Sequence, residues 1–379
     1  MGKNKVKYPF VSICTPTFNR RPFIPIIIRC FLNQTYPRSK MEWIIVDDGT
    51  DKVEDIIKGA NIPEIKYISL PEKITLGAKR NLMHKHATGS IIVYMDDDDY
   101  YPPERVAHAV ETLQLHPRAM VVGSSEMYVY FKHINKMYQS GPFGPTHATA
   151  ATFAFRTELL KDTQYENEAA LAEEKAFLKN YTVPMAQLDP LKTILVFAHD
   201  QNSFDKRTLL ATGENPTFKV SPKTIPMFIR SRDEKPIMDF FLKDIDEKLR
   251  QYSPGDPKNK PDVLKQLETI TKQRQQQQQQ QQQNMGQQKL MIQKEGEPPK
   301  ELTVPEIINI LQEQQNNIAT LTNTIAEKDN QIRELTDQIR KLSSQKPVTE
   351  YSLPSFIPTQ VQTVVKNKTD PEVFVPMDV

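Results

Sequence analysis

Hydrophobic and polar positions change rhythm twice along the chain. Between about residues 7 and 250, short apolar runs alternate with helical stretches. Val11 to Thr15 is an apolar run closed by Pro16, and a helical pattern follows from Pro22 to Gln34. Trp43 to Val46 makes a second run, stopped by Asp47-Asp48-Gly49-Thr50. Ile65 to Leu70 is a third, Ile74 to His86 a helix, Ile91 to Met95 a fourth run, and Pro103 to Leu115 another helix. This βαβαβαβ order predicts an α/β domain with a mostly parallel central sheet and helices on both faces. In such sheets ligands bind beyond the carboxyl ends of the strands. Three polar clusters lie at those ends: Thr17-Phe18-Asn19-Arg20, Asp47-Asp48 and Asp96-Asp97-Asp98-Asp99. All three are expected to face one crevice.

Residues 251–300 lose the apolar rhythm. They carry Ser253-Pro254-Gly255-Asp256-Pro257 and an unbroken glutamine run from Gln275 to Gln283. Such sequence buries too little apolar surface to offset its ordering entropy and reads as a disordered, Gln-rich linker. A short amphipathic helix around Val263, Leu264, Leu267 and Ile270 interrupts it. Residues 301–345 then repeat every seven positions, through Val304, Leu311, Ile318, Ile325, Ile332 and Ile339. Ile307, Leu321, Leu335 and Leu342 fill the second seam position, with Gln314 and Lys328 as polar exceptions. Thr303 and Glu306 make a capping-box start. Heptads sustained over this length predict a coiled coil, and β-branched residues at one seam with leucine at the other favour a parallel homodimer. The Pro-containing tail, residues 346–379, is expected to be extended.

Composition narrows the partners. A length of 379 residues leaves room for two or three domains. The formal charge of +2 offers no basic field for nucleic acid or an anionic membrane. Two cysteines, Cys14 and Cys30, exclude a disulfide scaffold and point to a reducing compartment. No apolar run approaches the ~18 residues of a transmembrane segment, and the basic N-terminus lacks the apolar core of a signal peptide. A cytoplasmic protein is expected.

Four consecutive aspartates after a buried strand repel one another, and each is pushed toward protonation. A divalent cation relieves this, and oxygen ligands suit Mn²⁺ or Mg²⁺. The competing reading is an acidic turn that caps the following helix. No Gly-x-x-x-x-Gly-Lys and no Gly-x-Gly-x-x-Gly occurs, which removes P-loop and Rossmann dinucleotide chemistry. Tyr94-Met95-Asp96-Asp97 also spells the metal box of reverse transcriptases, but it lies too early in a chain with no basic channel.

Four motifs in order are more specific. Val11-Ser12-Ile13-Cys14-Thr15-Pro16-Thr17-Phe18-Asn19-Arg20, Ile44 to Thr50, Gly77-Ala78-Lys79-Arg80-Asn81, and Ala87-Thr88-Gly89-Ser90 leading into Tyr94 to Asp99 together resemble glycosyltransferase family 2 over residues 9–210. The resemblance implies a GT-A fold and an inverting, nucleotide-sugar-dependent transferase. It would put Thr17, Phe18 and Arg20 in the nucleoside pocket, and Asp48 on the base imide, which favours a UDP-sugar. Lys79 and Arg80 would meet ribose or diphosphate, Asp96 and Asp97 the ribose and sugar, and Asp98 the metal. His199, after the apolar run Thr193 to Ala198, would complete the metal site. The resemblance would also supply a base from the acidic pair in Leu171-Ala172-Glu173-Glu174-Lys175, Glu174 by register, with Glu173 one position away and Glu166 or Glu168 as alternatives. The usual residue there is Asp. Variable acceptor loops are expected at Tyr128 to Thr152, and the acceptor stays unnamed. The combination with polyglutamine and a coil resembles glycosyltransferases encoded by large DNA viruses, which would make the protein virion-associated. An inert nucleotide-sugar-binding scaffold acting through its coil has the same layout. Intact Asp48, Asp96, Asp98 and Glu174 argue against it.

Overall fold

Val11–Thr17 (β1) and Met41–Asp47 (β2) are apolar on both faces, and every residue of β2 is buried. That is the pattern of parallel strands covered by helices on each side. A computed structural model describes residues 8–171, 174–287, 289–292 and 300–344. In it β1 pairs in parallel with β2 and with β4 (Ile91–Tyr94), while β3 (Ile65–Ser69) extends the sheet beyond β2. β8 (Ala154–Arg156) runs antiparallel to β4 and to β5 (Val121–Gly123), and β9 (Met185–Gln187) closes the edge. The seven strands lie in the order β3-β2-β1-β4-β8-β5-β9, so the expected α/β sheet is present and mostly parallel.

Helices α1 (Ile24–Leu32), α2 (Glu54–Gly59), α3 (Leu76–His86) and α4 (Arg105–Leu115) carry the connections. Phe31 of α1 stacks on Trp43 of β2, with ring centroids 4.7 Å apart. The Trp43 indole N–H donates to Thr15 Oγ1 at 2.8 Å, and that hydroxyl donates to the Met95 carbonyl at 2.6 Å. One chain of bonds thus ties the body of β2 to the carboxyl ends of β1 and β4. Arg105 is fully buried and donates to the carbonyls of Tyr94, Thr152 and Phe153 at 3.2, 2.8 and 2.8 Å. At the start of α3 the Gly77 N–H donates to the Ala169 carbonyl at 2.8 Å. This close approach draws the loop before α5 (Glu174–Phe177) against the helix.

A second sheet corrects the expectation of acceptor loops over Tyr128 to Thr152. Met127–Phe131 (β6) and Lys136–Ser140 (β7) form a hairpin flanked by β10 (Leu195–Ala198) and β11 (Phe218–Val220) in the order β10-β6-β7-β11. Tyr128, Val129, Phe131 and Phe197 are buried, because α6 (Lys235–Asp239), a π turn at Phe240–Asp244 and α7 (Ile245–Arg250) pack on the sheet. Phe197 and Phe241 stack with centroids 4.0 Å apart. An antiparallel bridge between Tyr100 and Leu195 brings the segment after β4 alongside β10.

The expected linker starts too early at Gln251. Residues 253–266 pack on the first domain, and α8 (Pro261–Gln287) runs through the glutamine run. Asn19 Nδ2 donates to the Pro254 carbonyl at 2.9 Å, and Gln201 Nε2 donates to the Tyr252 carbonyl at 2.6 Å. Gln266 Oε1 accepts from the N–H groups of Ala170 and Leu171 at 2.7 and 2.9 Å. The helix expected around Val263 to Ile270 falls within α8, with Val263 buried, while the residues before it are held by single polar bonds of this kind.

The chain divides into two compact units, residues 1–278 and 279–379. In the second, β12 (Lys289–Ile292) and β13 (Lys300–Thr303) form an antiparallel pair ahead of α9 (Val304–Ser344). Glu306 accepts from the Thr303 N–H at 2.7 Å and from its hydroxyl at 2.8 Å, as the capping sequence predicts. Along α9 the seam residues Ile318, Leu321, Ile325, Ile332, Leu335, Ile339 and Leu342 are 57 to 67% exposed. No helix among the described residues is long and apolar enough to cross a membrane. The expected tail falls in residues 345–379, outside the described residues.

Gly77→Ala tests the helix–loop approach. A Cβ there would overlap the Glu166 carbonyl, so the substitution is expected to cost about 1–3 kcal/mol in urea unfolding. Unchanged stability would show that the loop yields freely.

Candidate functional site

A cleft of about 140 Å³ opens at the carboxyl ends of β1 and β4. Asp96, Asp97 and Asp98 form one side, and Thr17, Phe18 and Arg20 come from the turn after β1. Lys79 and Arg80 arrive from α3, and Lys73, Leu171, Ser203, Lys260 and Asp262 complete the lining. The clusters after β1 and β4 therefore meet at one cleft. Asp48 and His199 lie behind the lining residues, each in contact with one of them.

Arg20 neutralises much of the acidic loop. Its Nη2 is 3.0 Å from Asp98 Oδ2 and its Nε is 3.6 Å from Asp97 Oδ1, with the guanidinium almost wholly buried. Burial works to raise Asp98, but Arg20 and the His199 ring outweigh it and hold the carboxyl well below its ordinary range. Asp97 goes the other way: burial, opposed by Arg20 and reinforced by Asp98, pushes it up to about 7. Asp99 is raised well above its ordinary value by burial and by Asp98. It does not cap the next helix, since α4 starts at Arg105 with no side-chain cap. Arg80 lies 4.0 Å from Asp96 Oδ1 and 4.3 Å over the Tyr94 ring.

The two aspartates after β2 divide their work. Asp47 is structural: its carboxylate accepts from the N–H groups of Gly49 and Val53 at 2.9 and 3.0 Å and from the Tyr67 hydroxyl at 2.6 Å. Asp48 is ion-paired with Lys79 through Oδ1 and accepts from the Ile74 N–H through Oδ2 at 2.8 Å. Burial lowers the Lys79 ammonium against the pull of Asp48. Lys79 also lies 5.9 Å from the Phe18 ring centroid, and Lys73 lies 5.3 Å from it on its own approach.

Among the described residues, no three His, Cys, Asp or Glu side chains cluster as a metal cage. Two donors do meet, with Asp98 Oδ2 3.4 Å from His199 Nε2. Neighbouring ligands on one octahedral cation with bonds of ~2.1 Å lie ~3 Å apart, so this pair fits a single Mn²⁺ or Mg²⁺. Such ions ordinarily take their remaining ligands from water and substrate phosphates. Burial, against Asp98, depresses His199 to about 4, so the ring is neutral at pH 7, as a ligand must be. Its Nδ1 accepts from the Gln201 N–H at 3.2 Å and its Nε2 lies 2.8 Å from Asn202 Nδ2, so ligation through Nε2 calls for the ring proton to sit on Nδ1 and for the Asn202 amide to give way.

Glu174 opens α5 and is half-buried, four residues beyond Ala170 in the cleft wall. It is not itself among the lining residues, and Glu173 lies outside the described residues. Lys73, Ser203, Lys260 and Asp262 went unrecognised in the sequence. Lys260 and Asp262 fall in the Pro-rich stretch read as linker, where no strand or helix end announced them.

Residues 12–168 match glycosyl transferase family 2. The poly(ribitol-phosphate) beta-N-acetylglucosaminyltransferase TarS of Staphylococcus aureus is 26% identical over 184 residues, covering 44% of this chain and 31% of its own. The putative teichuronic acid biosynthesis glycosyltransferase TuaG of Bacillus subtilis is 32% identical over 106 residues, covering 27% of this chain and 41% of its own. The chain thus spans less than half the length of either relative. A crystal structure of S. aureus TarS 1-349 in complex with UDP-GlcNAc aligns with a TM-score of 0.41 at 21% identity, covering 50% of this chain and 59% of that one.

Asp97 gives the site a pH signature. With its folded value raised to about 7 and an unfolded value of ~3.9, it adds stability below ~4 that is lost as pH rises through about 7. In metal-free protein, the melting temperature of Asp97→Asn minus that of wild type should climb between these limits and level off above them. A difference that does not change with pH would refute a buried, proton-holding Asp97.

Proposed function

We propose that this chain, whose residues 12–168 form a glycosyl transferase family 2 domain with a GT-A-like α/β fold, is a metal-dependent inverting glycosyltransferase. It moves a sugar from a UDP-sugar to an acceptor hydroxyl. The observation that carries the reading is the convergence of Phe18, Lys79, Arg80 and the loop Asp96 to Asp98 on one cleft at the strand ends, with Asp48 paired to Lys79 behind it.

Each residue then has a chemical task. Phe18 offers a ring face for the base, flanked by Lys73 and Lys79. Asp48 uses one site on each carboxylate oxygen for Lys79 and the Ile74 N–H, and a carboxylate has about four, so capacity remains for a uracil imide. Thr17 and Arg20 complete the nucleoside side, while Asp96 and Asp97 face ribose and sugar. Asp98 and His199 would hold Mn²⁺ or Mg²⁺. When bound, the cation supplies neutralisation of the charge that develops on the departing diphosphate. Glu174 takes the acceptor O–H proton while that oxygen bonds to the anomeric carbon. The bond from that carbon to the diphosphate breaks, its electron pair leaves with UDP, and the configuration inverts. TarS and TuaG are named for work on poly(ribitol-phosphate) and in teichuronic acid biosynthesis, which supports an acceptor that is itself a polymer or its precursor.

The exposed seam of α9 supports a self-associating coiled coil. Its Ile/Leu stripe gains roughly 25 cal/mol per Å² of apolar area removed from water, and a lone helix forgoes that gain.

Asp98→Asn is expected to abolish turnover and cation-dependent donor binding, since metal and oxyanion electrostatics carry several kcal/mol of a transfer barrier. Full activity in EDTA, or in this variant, would sink the metal assignment.

Glu174→Gln should keep donor affinity and lose transfer by ~10²–10⁴-fold. If steady-state kinetics instead show loss in Glu173→Gln alone, the base lies one residue earlier.

A chain ending at Gln278 should stay folded and active but become monomeric in light scattering, while residues 300–345 alone form a helical dimer. A chain cut at Leu249 also loses the packed segment 253–266 and should lose donor binding. A monomeric full-length protein would show that the α9 stripe is not an association surface.

A further inference from the structure

Lys260 has no task in the chemistry above. It follows the turn Pro257–Asn259, at the head of α8, and lies well beyond the residues that match the family. Its side chain lines the cleft and is only 6% exposed. The Nζ donates to Ser203 Oγ at 2.9 Å and forms no ion pair within 4.0 Å among the described residues. The neighbouring cations differ from it: Lys79 is paired with Asp48, Lys73 with Asp262, and Arg20 with Asp97 and Asp98. A buried ammonium with no direct ion pair is costly, so something has to justify its place.

A second donor is left over beside it. Arg20 Nη1 is buried with no hydrogen-bond partner among the described residues, although Nε and Nη2 of the same guanidinium are engaged. Burial, with repulsion from Arg20, presses the Lys260 ammonium down to about 7 against the longer-range pull of Asp98 and Asp97. Two cationic donors from distant parts of the chain thus line one cleft, each short of an acceptor. An anion shared between them would satisfy both and remove the repulsion. The nearby acidic loop restricts which anion. A bare carboxylate would meet Asp97 and Asp98, whereas a diphosphate brings its own divalent cation against them.

We infer that Lys260 Nζ and Arg20 Nη1 form the subsite for the diphosphate of the donor, completed by a segment that the family domain itself does not contain. The assignment rests on the nucleotide-sugar reading of the same cleft. Lys260 is then a binding residue for the leaving group, and segment 253–266 is part of the donor site.

The test uses the full chain with Mn²⁺, titrated by calorimetry with UDP, uridine and inorganic pyrophosphate. Lys260→Met removes the charge at similar volume, and Lys260→Gln keeps a polar group for Ser203. Both variants should bind UDP and pyrophosphate about 10- to 100-fold more weakly, the loss of one charge-assisted hydrogen bond. Uridine affinity should be unchanged, and the ligand-free melting temperature should be equal or higher, because an unpaired buried charge has gone. Lys260→Arg should restore much of the UDP affinity. Variants that bind UDP and pyrophosphate like wild type would overturn the subsite and leave the glycosyltransferase reading standing. So would equal losses for uridine and UDP with a lowered melting temperature, since they mark a structural lysine. Lys260-dependent binding of pyrophosphate without any binding of UDP would uphold the anion subsite and remove the nucleotide donor.

Discussion

The carboxylates of Asp96, Asp97, Asp98 and Asp99 follow a fully buried strand, and their mutual repulsion is balanced by cations drawn from across the chain. Arg20 comes from the turn after β1, Arg80 from α3 and Lys260 from the segment before α8. Burial strengthens every one of these interactions, because charges in a low-dielectric cleft are poorly screened. The balance is uneven. Asp98 is held ionised while Asp97 and Asp99 are driven toward their protonated forms. A loop with one firmly anionic member beside a neutral imidazole is suited to receive one divalent cation. The scaffold that permits it is rigid, since the Trp43–Thr15–Met95 bonds and the buried Arg105 fix the strand ends.

Much of this was legible because strand ends in parallel sheets are marked by abrupt changes from apolar to polar sequence. β1 to β4 fall on the four apolar runs, and the polar clusters after β1 and β4 meet at the cleft, with Asp48 after β2 behind it on Lys79. Asp47 and Asp48 could not be separated by pattern, since their different tasks depend on which way each side chain turns. His199 was legible as a strand-end histidine, but β10 belongs to the second sheet, and the Tyr100–Leu195 bridge that brings it to Asp98 has no sequence signature. The β6–β7 hairpin was hidden by the Gly and Pro residues that follow it. Lys260 and Gln266 were hidden for another reason. They hold their segment by individual polar bonds, and neither composition nor periodicity records which side chain meets which backbone group.

That segment also changes how the chain is divided. The compact unit that holds the cleft extends past the family match to take in residues 253–266, whose Asp262 is tied to Lys73 and Gln266 to the Ala170–Leu171 backbone, while Val263 lines the cleft. α8 begins inside the cleft lining and carries the glutamine run.

The central claim is that the cleft activates a nucleotide-sugar with a divalent cation. Transferases of this kind release nucleotide slowly to water when no acceptor is present, so the most direct measurement is nucleotide release from a panel of UDP-, GDP- and CDP-sugars, with Mn²⁺ and with EDTA. The account predicts UDP release from at least one UDP-sugar that stops in EDTA. Release from GDP- or CDP-sugars alone, or release that persists undiminished in EDTA, would contradict it.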